Sequence, residues 1–93
     1  MRHSDIKHYH AEVAVLLKDT VNDPQGVTAA NSLKSIGFEG IRSIRIGKML
    51  EVDLVAENQD AAYRMVADMC EKMFANPVIE QYRIEMRTDF PET

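Results

Sequence analysis

Residues 41–56 read "IRSIRIGKMLEVDLVA". Ile44 and Ile46 alternate with polar residues before Gly47-Lys48, and Leu50, Val52 and Leu54 alternate with Met49, Glu51 and Asp53 after it. Polarity that switches every second residue marks a strand with one buried face, and a short interruption carrying a glycine marks a hairpin. The stretch therefore predicts two antiparallel strands joined around Gly47-Lys48. It decides the fold, because it joins the strand and helix read before it to the helix and strand read after it.

Upstream, "YHAEVAVLL" alternates Tyr9, Ala11, Val13, Val15 and Leu17 on one face and predicts the first strand. The polar loop "KDTVNDPQG" follows. Asp23 can accept from the free N–H groups of a first helical turn, and Pro24 at the first helical position loses only an N–H that had no partner, so "DPQG" starts a helix. That helix carries Val27, Ala30, Leu33 and Ile36 and stops at Gly37, a residue suited to the left-handed C′ conformation. Downstream, Asn58 is the expected N-cap of a second helix, with Asp60 in its first turn and Ala62, Val66, Met69 and Met73 as its apolar stripe, ended by Asn76-Pro77. "VIEQYRIEM" then alternates again, with Tyr82, Ile84 and Met86 on one side.

The expected order is βαββαβ, an α+β two-layer sandwich with an antiparallel sheet and two helices on one face. A domain over residues 9–87 is expected, with a flexible extension over 1–8 and a tail over 88–93. Pointing away from the helices would be His10, Glu12, Ala14 and Leu16, then Met49, Glu51, Asp53 and Val55, then Ile79, Gln81, Arg83 and Glu85. Isolated apolar residues among charged ones predict a protein–protein face, such as that of a symmetric dimer.

Composition narrows the chemistry. A chain of 93 residues is one domain that buries roughly 60–65% of its unfolded surface, leaving little room for a deep private cleft. Eleven Lys and Arg against 15 Asp and Glu give a net charge of -4, which opposes nucleic-acid binding. Cys70 is the only cysteine, so no internal disulfide or cysteine metal cluster can form within one chain. The start, "MRHSDIKHYH", lacks the apolar region of a signal peptide, and no run approaches 18 apolar residues. A soluble cytoplasmic protein without membrane contact is expected.

Each reactive candidate has a plain structural counterpart. His3, His8 and His10 could hold a metal, but no carboxylate shell accompanies them in sequence, and surface histidines are the favoured reading. Cys70 in "MVADMCEKM" reads as a small buried thiol, with no histidine nearby to activate it. Met65, Met69 and Met73 share a helical stripe and read as core fillers. Arg42, Arg45 and Lys48 could grip a phosphate or an acidic partner, or simply be solvated. "DPQG" lacks the GxxxxGK[ST] spacing of a nucleotide loop. Read from the residues alone, this is a small α+β domain that binds something.

The combination "LLKDTVNDPQG", "SLKSIGFEGIRSIRIGK" and "CEKMFANPVIEQYRIEM" resembles the PurS family, the small subunit of phosphoribosylformylglycinamidine synthase. Five landmarks carry the resemblance in order: Lys18, Asp23 to Gly26, Gly37, Arg45-Gly47-Lys48, and Asn76 to Glu80. The resemblance implies a non-catalytic subunit that bridges a glutaminase subunit and a large synthetase subunit and supports ammonia transfer in purine synthesis. ATP, magnesium and glutamine would be used by those partners, with no cofactor, catalytic residue or metal in this chain. It implies a homodimer or homotetramer, and subunit-interface roles for Lys18, Asp23, Gln25, Gly26, Arg45, Gly47, Lys48, Asn76 and Glu80. Charge reversal at Arg45 and Lys48 is expected to weaken assembly without unfolding the domain.

Two other classes share the strand order. A regulatory domain of the ACT type would bind an amino acid at a dimer interface. An acylphosphatase-like enzyme would need a phosphate-gripping arginine in a glycine-rich first loop, and "KDTVND" has neither residue. An RNA-binding sheet would show exposed aromatics on its central strands, and "MLEVDLVA" has none.

Overall fold

The computed structural model describes residues 6–87; most of the expected extension and tail, with His3, lies outside them. Strand β1 (Lys7–Leu17) buries Tyr9, Ala11, Val13 and Val15 and leaves the alternate residues half-buried, the pattern its period-2 sequence dictates. Strands β2 (Lys48–Ala56) and β3 (Glu80–Arg87) flank it, giving an antiparallel sheet of order β2-β1-β3. Val13 stands opposite Leu50 on one side and Ile84 on the other, so one apolar row crosses the inner face.

Helix α2 (Gln59–Met69) covers that face. Asn58 caps it by accepting from the Ala61 N–H at 2.8 Å. Ala62, Val66 and Cys70, spaced four residues apart, are fully buried against the sheet. A buried valine contributes roughly 1.5–3 kcal/mol relative to an exposed one. Cys70 is the buried structural thiol its surroundings suggest, and burial pushes its pKa up. The helix then widens into a π-helical turn, Cys70–Phe74, closed by the Ala75 N–H on the Cys70 carbonyl at 3.0 Å. Tyr82 of β3 donates to Glu71 of this turn at 2.6 Å, a bond that pushes the phenol up to about 12.

The methionine stripe is not core. Met65 and Met73 are exposed and Met69 half-buried, because the stripe of Ala62, Val66 and Cys70, one residue step around the helix, takes the contact with the sheet.

Helix α1 (Pro24–Ser35) begins and ends as its sequence requires. At its end the Gly37 and Phe38 N–H groups donate to the Lys34 and Leu33 carbonyls, a Schellman motif that needs Gly37 at φ 107°. The helix contributes nothing to the core cluster among the described residues, and only Gly26 and Ala30 of it are buried. Val27, expected inside, is exposed, and Ile36 just past the helix is 71% exposed.

The α+β arrangement is the expected one: strand and helix follow in the βαββαβ succession when the extended run after α1 is counted as its second β segment. The hairpin itself does not close. Residues 41–47 stay outside the ladder, and β2 pairs with β1 instead, from Val15 opposite Lys48 to Lys7 opposite Ala56. The reason lies in the competing partners of the run. Its end is held by the loop before α1, so α1 and residues 41–47 form an arm beyond the end of the sheet. The molecule measures 59 × 31 × 15 Å with a radius of gyration of 17.7 Å, against about 13 Å for a compact 100-residue chain.

Candidate functional site

The joint between arm and sheet is built on Asp23 and Arg45. Asp23 is buried. Its Oδ1 accepts from the Gly26 N–H and its Oδ2 from the Ile46 N–H, both at 2.9 Å, so one carboxylate caps α1 and fastens the returning chain to it. The Ile46 and Gly26 hydrogen bonds, with the Arg45 charge nearby, hold its pKa below the usual carboxylate range. Arg45 reaches the other way. Its Nη2 donates to the carbonyls of Leu17 at 2.8 Å and Lys18 at 2.7 Å, and its Nη1 to that of Val21 at 3.3 Å. The guanidinium thus gathers the carbonyls of the loop that leaves β1.

The two glycines of this region permit close approach of backbones. A Cβ on Gly26 would collide with the Ile44 carbonyl, and one on Gly47 with that of Val15. No other residue fits either position without a shift of the chain.

The corner between the π-turn and β3 is equally fixed. Asn76 Oδ1 accepts from the Val78 N–H at 3.0 Å, Glu80 Oε1 accepts from the Asn76 N–H at 2.7 Å, and the Glu80 N–H returns to the Asn76 carbonyl at 2.7 Å. The Lys18 N–H donates to the Ile79 carbonyl at 2.9 Å, joining this corner to the loop after β1.

The nine residues singled out from sequence lie around one end of the sheet; seven of them line two clefts there, and Lys18 and Asn76 line neither. Gln25, Gly47, Lys48 and Glu80 line a shallow cleft of about 160 Å³ with Val15, Leu17 and Ile46. Asp23, Gly26 and Arg45 lie on a larger cleft of about 420 Å³ between α1 and residues 42–45, with Lys34 and Arg42 also on its wall. Lys34 is a member that sequence reasoning passed over, since nothing in the helical pattern tells which exposed lysine faces a cleft. Asp23, Gly26 and Arg45 are committed to holding the joint. Lys18, Gln25 and Lys48 make no side-chain hydrogen bond or ion pair among the described residues and are available at the surface.

Among the described residues no group of three His, Cys, Asp or Glu could hold a metal ion, and no helix is long and apolar enough to cross a membrane.

Comparison with known proteins matches this architecture over most of its length. The sequence model of PurS, phosphoribosylformylglycinamidine (FGAM) synthase, matches residues 10–88. The PurS subunit of phosphoribosylformylglycinamidine synthase from Archaeoglobus fulgidus is 38% identical over 77 residues, covering 83% of this chain and 96% of that one. The solved structure of B. subtilis PurS is 39% identical with a TM-score of 0.75, covering 85% of this chain and 98% of that one. PurLQS from Thermotoga maritima contains a chain similar at 29% identity and a TM-score of 0.80, covering 86% of this chain and 98% of that one. A match over this span, in sequence and in backbone, makes the chain a member of the PurS family.

Proposed function

We propose that this chain is the small, non-catalytic subunit of phosphoribosylformylglycinamidine synthase, joining a glutaminase subunit to a large synthetase subunit and supporting ammonia transfer between them. The family match over residues 10–88 carries this reading. It is supported by the solved relative within PurLQS from Thermotoga maritima and by a joint in which Asp23 and Arg45 bind backbone groups of this chain itself. Ammonia loses its nucleophilicity on protonation, so a protein that keeps water out of the joint between two larger subunits serves the reaction without touching it. In this reading ATP, magnesium and glutamine belong to the partners, and the chain works in the cytoplasm. The ACT-type alternative is set aside, since the relatives that span the chain are PurS subunits.

The fold also supports self-association. Each copy has an arm that its own sheet does not cover, with Ile36 71% and Phe38 56% exposed just past α1. Each also has an inner sheet face on which Leu50, Tyr82, Ile84 and Met86 are only partly buried. The arm from Lys18 to Lys48 carries five basic and three acidic residues in a chain of net charge -4, so arm and body are of opposite sign. A homodimer or homotetramer in which arms seat on neighbouring bodies satisfies both faces.

The test is reconstitution. The chain alone should hydrolyse neither glutamine nor ATP, and adding it to the two larger subunits should restore glutamine-dependent synthesis. Full glutamine-dependent activity of the larger subunits without it would overturn the proposal.

A further inference from the structure

The cations of the arm stay out of ion pairs: no ion pair among the described residues involves a residue between Lys18 and Lys48. Within the arm, α1 and the run after it enclose the cleft of about 420 Å³. Gly26, Ala30 and Lys34, four residues apart on one face of α1, form one wall, and Arg42, Ser43 and Ile44 form the other. Gly26 and Ala30 are buried, so the helix wall is made of small residues with a cation at its end. Lys34 and Arg42, one from each wall, are exposed and make no hydrogen bond or ion pair among the described residues.

Two carboxylates belong to the same lining, and they differ in what they leave free. Asp23 is buried, bound to the Gly26 and Ile46 N–H groups, and feels the charge of Arg45, so these two charges offset each other. Arg45 gives its Nη groups to neutral carbonyls, and its buried Nε–H has no acceptor among the described residues. What remains is Lys34 and Arg42 against the exposed Asp19, a positive excess in a chain of net charge -4. The Asp23 bonds and the approach of Gly26 to the Ile44 carbonyl set the two walls before a ligand arrives, which lowers the ordering cost of binding.

We propose that this cleft binds a small phosphate monoester, with the phosphate held between Lys34 and Arg42. A cation from each wall matches a group that presents three oxygens and close to two negative charges, which a phosphate ester does at neutral pH. A single carboxylate offers one charge and two oxygens in one plane. Asn31 and Ser43, beside the two cations in sequence, are neutral donors for the remaining oxygens. Thr20, Asn22 and Asp19, on the loop side of the lining, match hydroxyl groups on the carbon body of the ester. The volume is at the small end of ligand pockets and larger than a phosphate ion needs. The site requires only this chain and stands apart from the subunit role.

The test is to titrate glycerol 3-phosphate into the full nitrogen-15-labelled chain at constant ionic strength and to follow backbone amide and arginine side-chain resonances. Saturable shifts are expected at Asn31, Lys34, Arg42 and Ser43, with a dissociation constant of about 0.1–5 mM, and inorganic phosphate should move the same signals at higher concentration. The double variant Lys34→Gln and Arg42→Gln should weaken binding roughly tenfold or more. Because both side chains are exposed and unpaired, it should keep the wild-type melting temperature. Lys48→Gln, which removes a cation outside this cleft, should bind as the wild type does. No saturation by about 20 mM, equal shifts with succinate or with sodium chloride, or unchanged affinity in the double variant would overturn the site.

Discussion

Asp23 shows how one side chain can decide a local topology. Its two oxygens take one N–H from each of two segments 20 residues apart in sequence, so protonation weakens both bonds together. Because those bonds depress its folded pKa, its contribution to stability is present above the unfolded value near 4 and is lost as pH falls through the folded value. Urea midpoints followed from pH 5 to pH 2.5 should therefore drop further for the wild type than for Asp23→Asn, which is the less stable protein at neutrality. Arg45 and Lys48 separate at the same scale. Lys48 is exposed and should tolerate Lys48→Glu with an unchanged melting temperature but weaker assembly with the larger subunits. Arg45 does not sit at an exposed hairpin tip. Arg45→Ala leaves three carbonyls without their donor and should cost about 1–3 kcal/mol in denaturant unfolding. The sequence reading treated the two cations alike, since the spacing "RIGK" places both beside a turn and says nothing about which one turns inward.

Elements were legible wherever the cause was local. The strand of Lys7–Leu17, the caps at Asp23 and Asn58, the stop at Gly37 and the inward set Tyr82, Ile84 and Met86 all follow from neighbours within a few residues. What the sequence did not disclose was set by distant partners. Ile44 and Ile46 have the alternation of a strand, but Asp23 takes the Ile46 N–H that a hairpin would have used. Met73 has the spacing of a core residue, yet the π-helical turn sets it 81% exposed. The candidate site was legible as a set of residues and not as a division of labour, because a glycine that admits a carbonyl and a glycine in an open loop look the same in one sequence. Gly26 and Gly40 make that distinction testable. Gly26→Ala meets the Ile44 carbonyl and should cost about 1–3 kcal/mol, whereas Gly40→Ala meets nothing within 4 Å and should leave thermal unfolding nearly unchanged. Equal melting temperatures for the two variants would contradict the packing of α1 on residues 41–46.

The whole molecule is thin and long, and a thickness of 15 Å leaves space for one helix on one sheet. Light scattering should report a dimer or a tetramer at micromolar concentration. The double variant Ile36→Asp and Phe38→Asp should raise the dissociation constant at least tenfold, because each large apolar side chain is worth about 1.5–3 kcal/mol when covered. An oligomer indifferent to these changes would place the contact away from the arm. The strand order has a further consequence, for the birth of the protein. The central strand, β1, precedes both of its neighbours in the chain, and its two edges wait for residues 48–56 and for residues 80–87. His10 stands opposite Arg87, which follows it much later in the chain, so the sheet cannot be completed until β3 has been made. Until then "AEVAVLL" is a β-prone apolar segment with at least one open edge. A nascent chain that stalls before Glu80 is thus a better substrate for chaperones and aggregation than one that has passed it, because the eight residues of β3 cover the edge that the central strand would otherwise leave open.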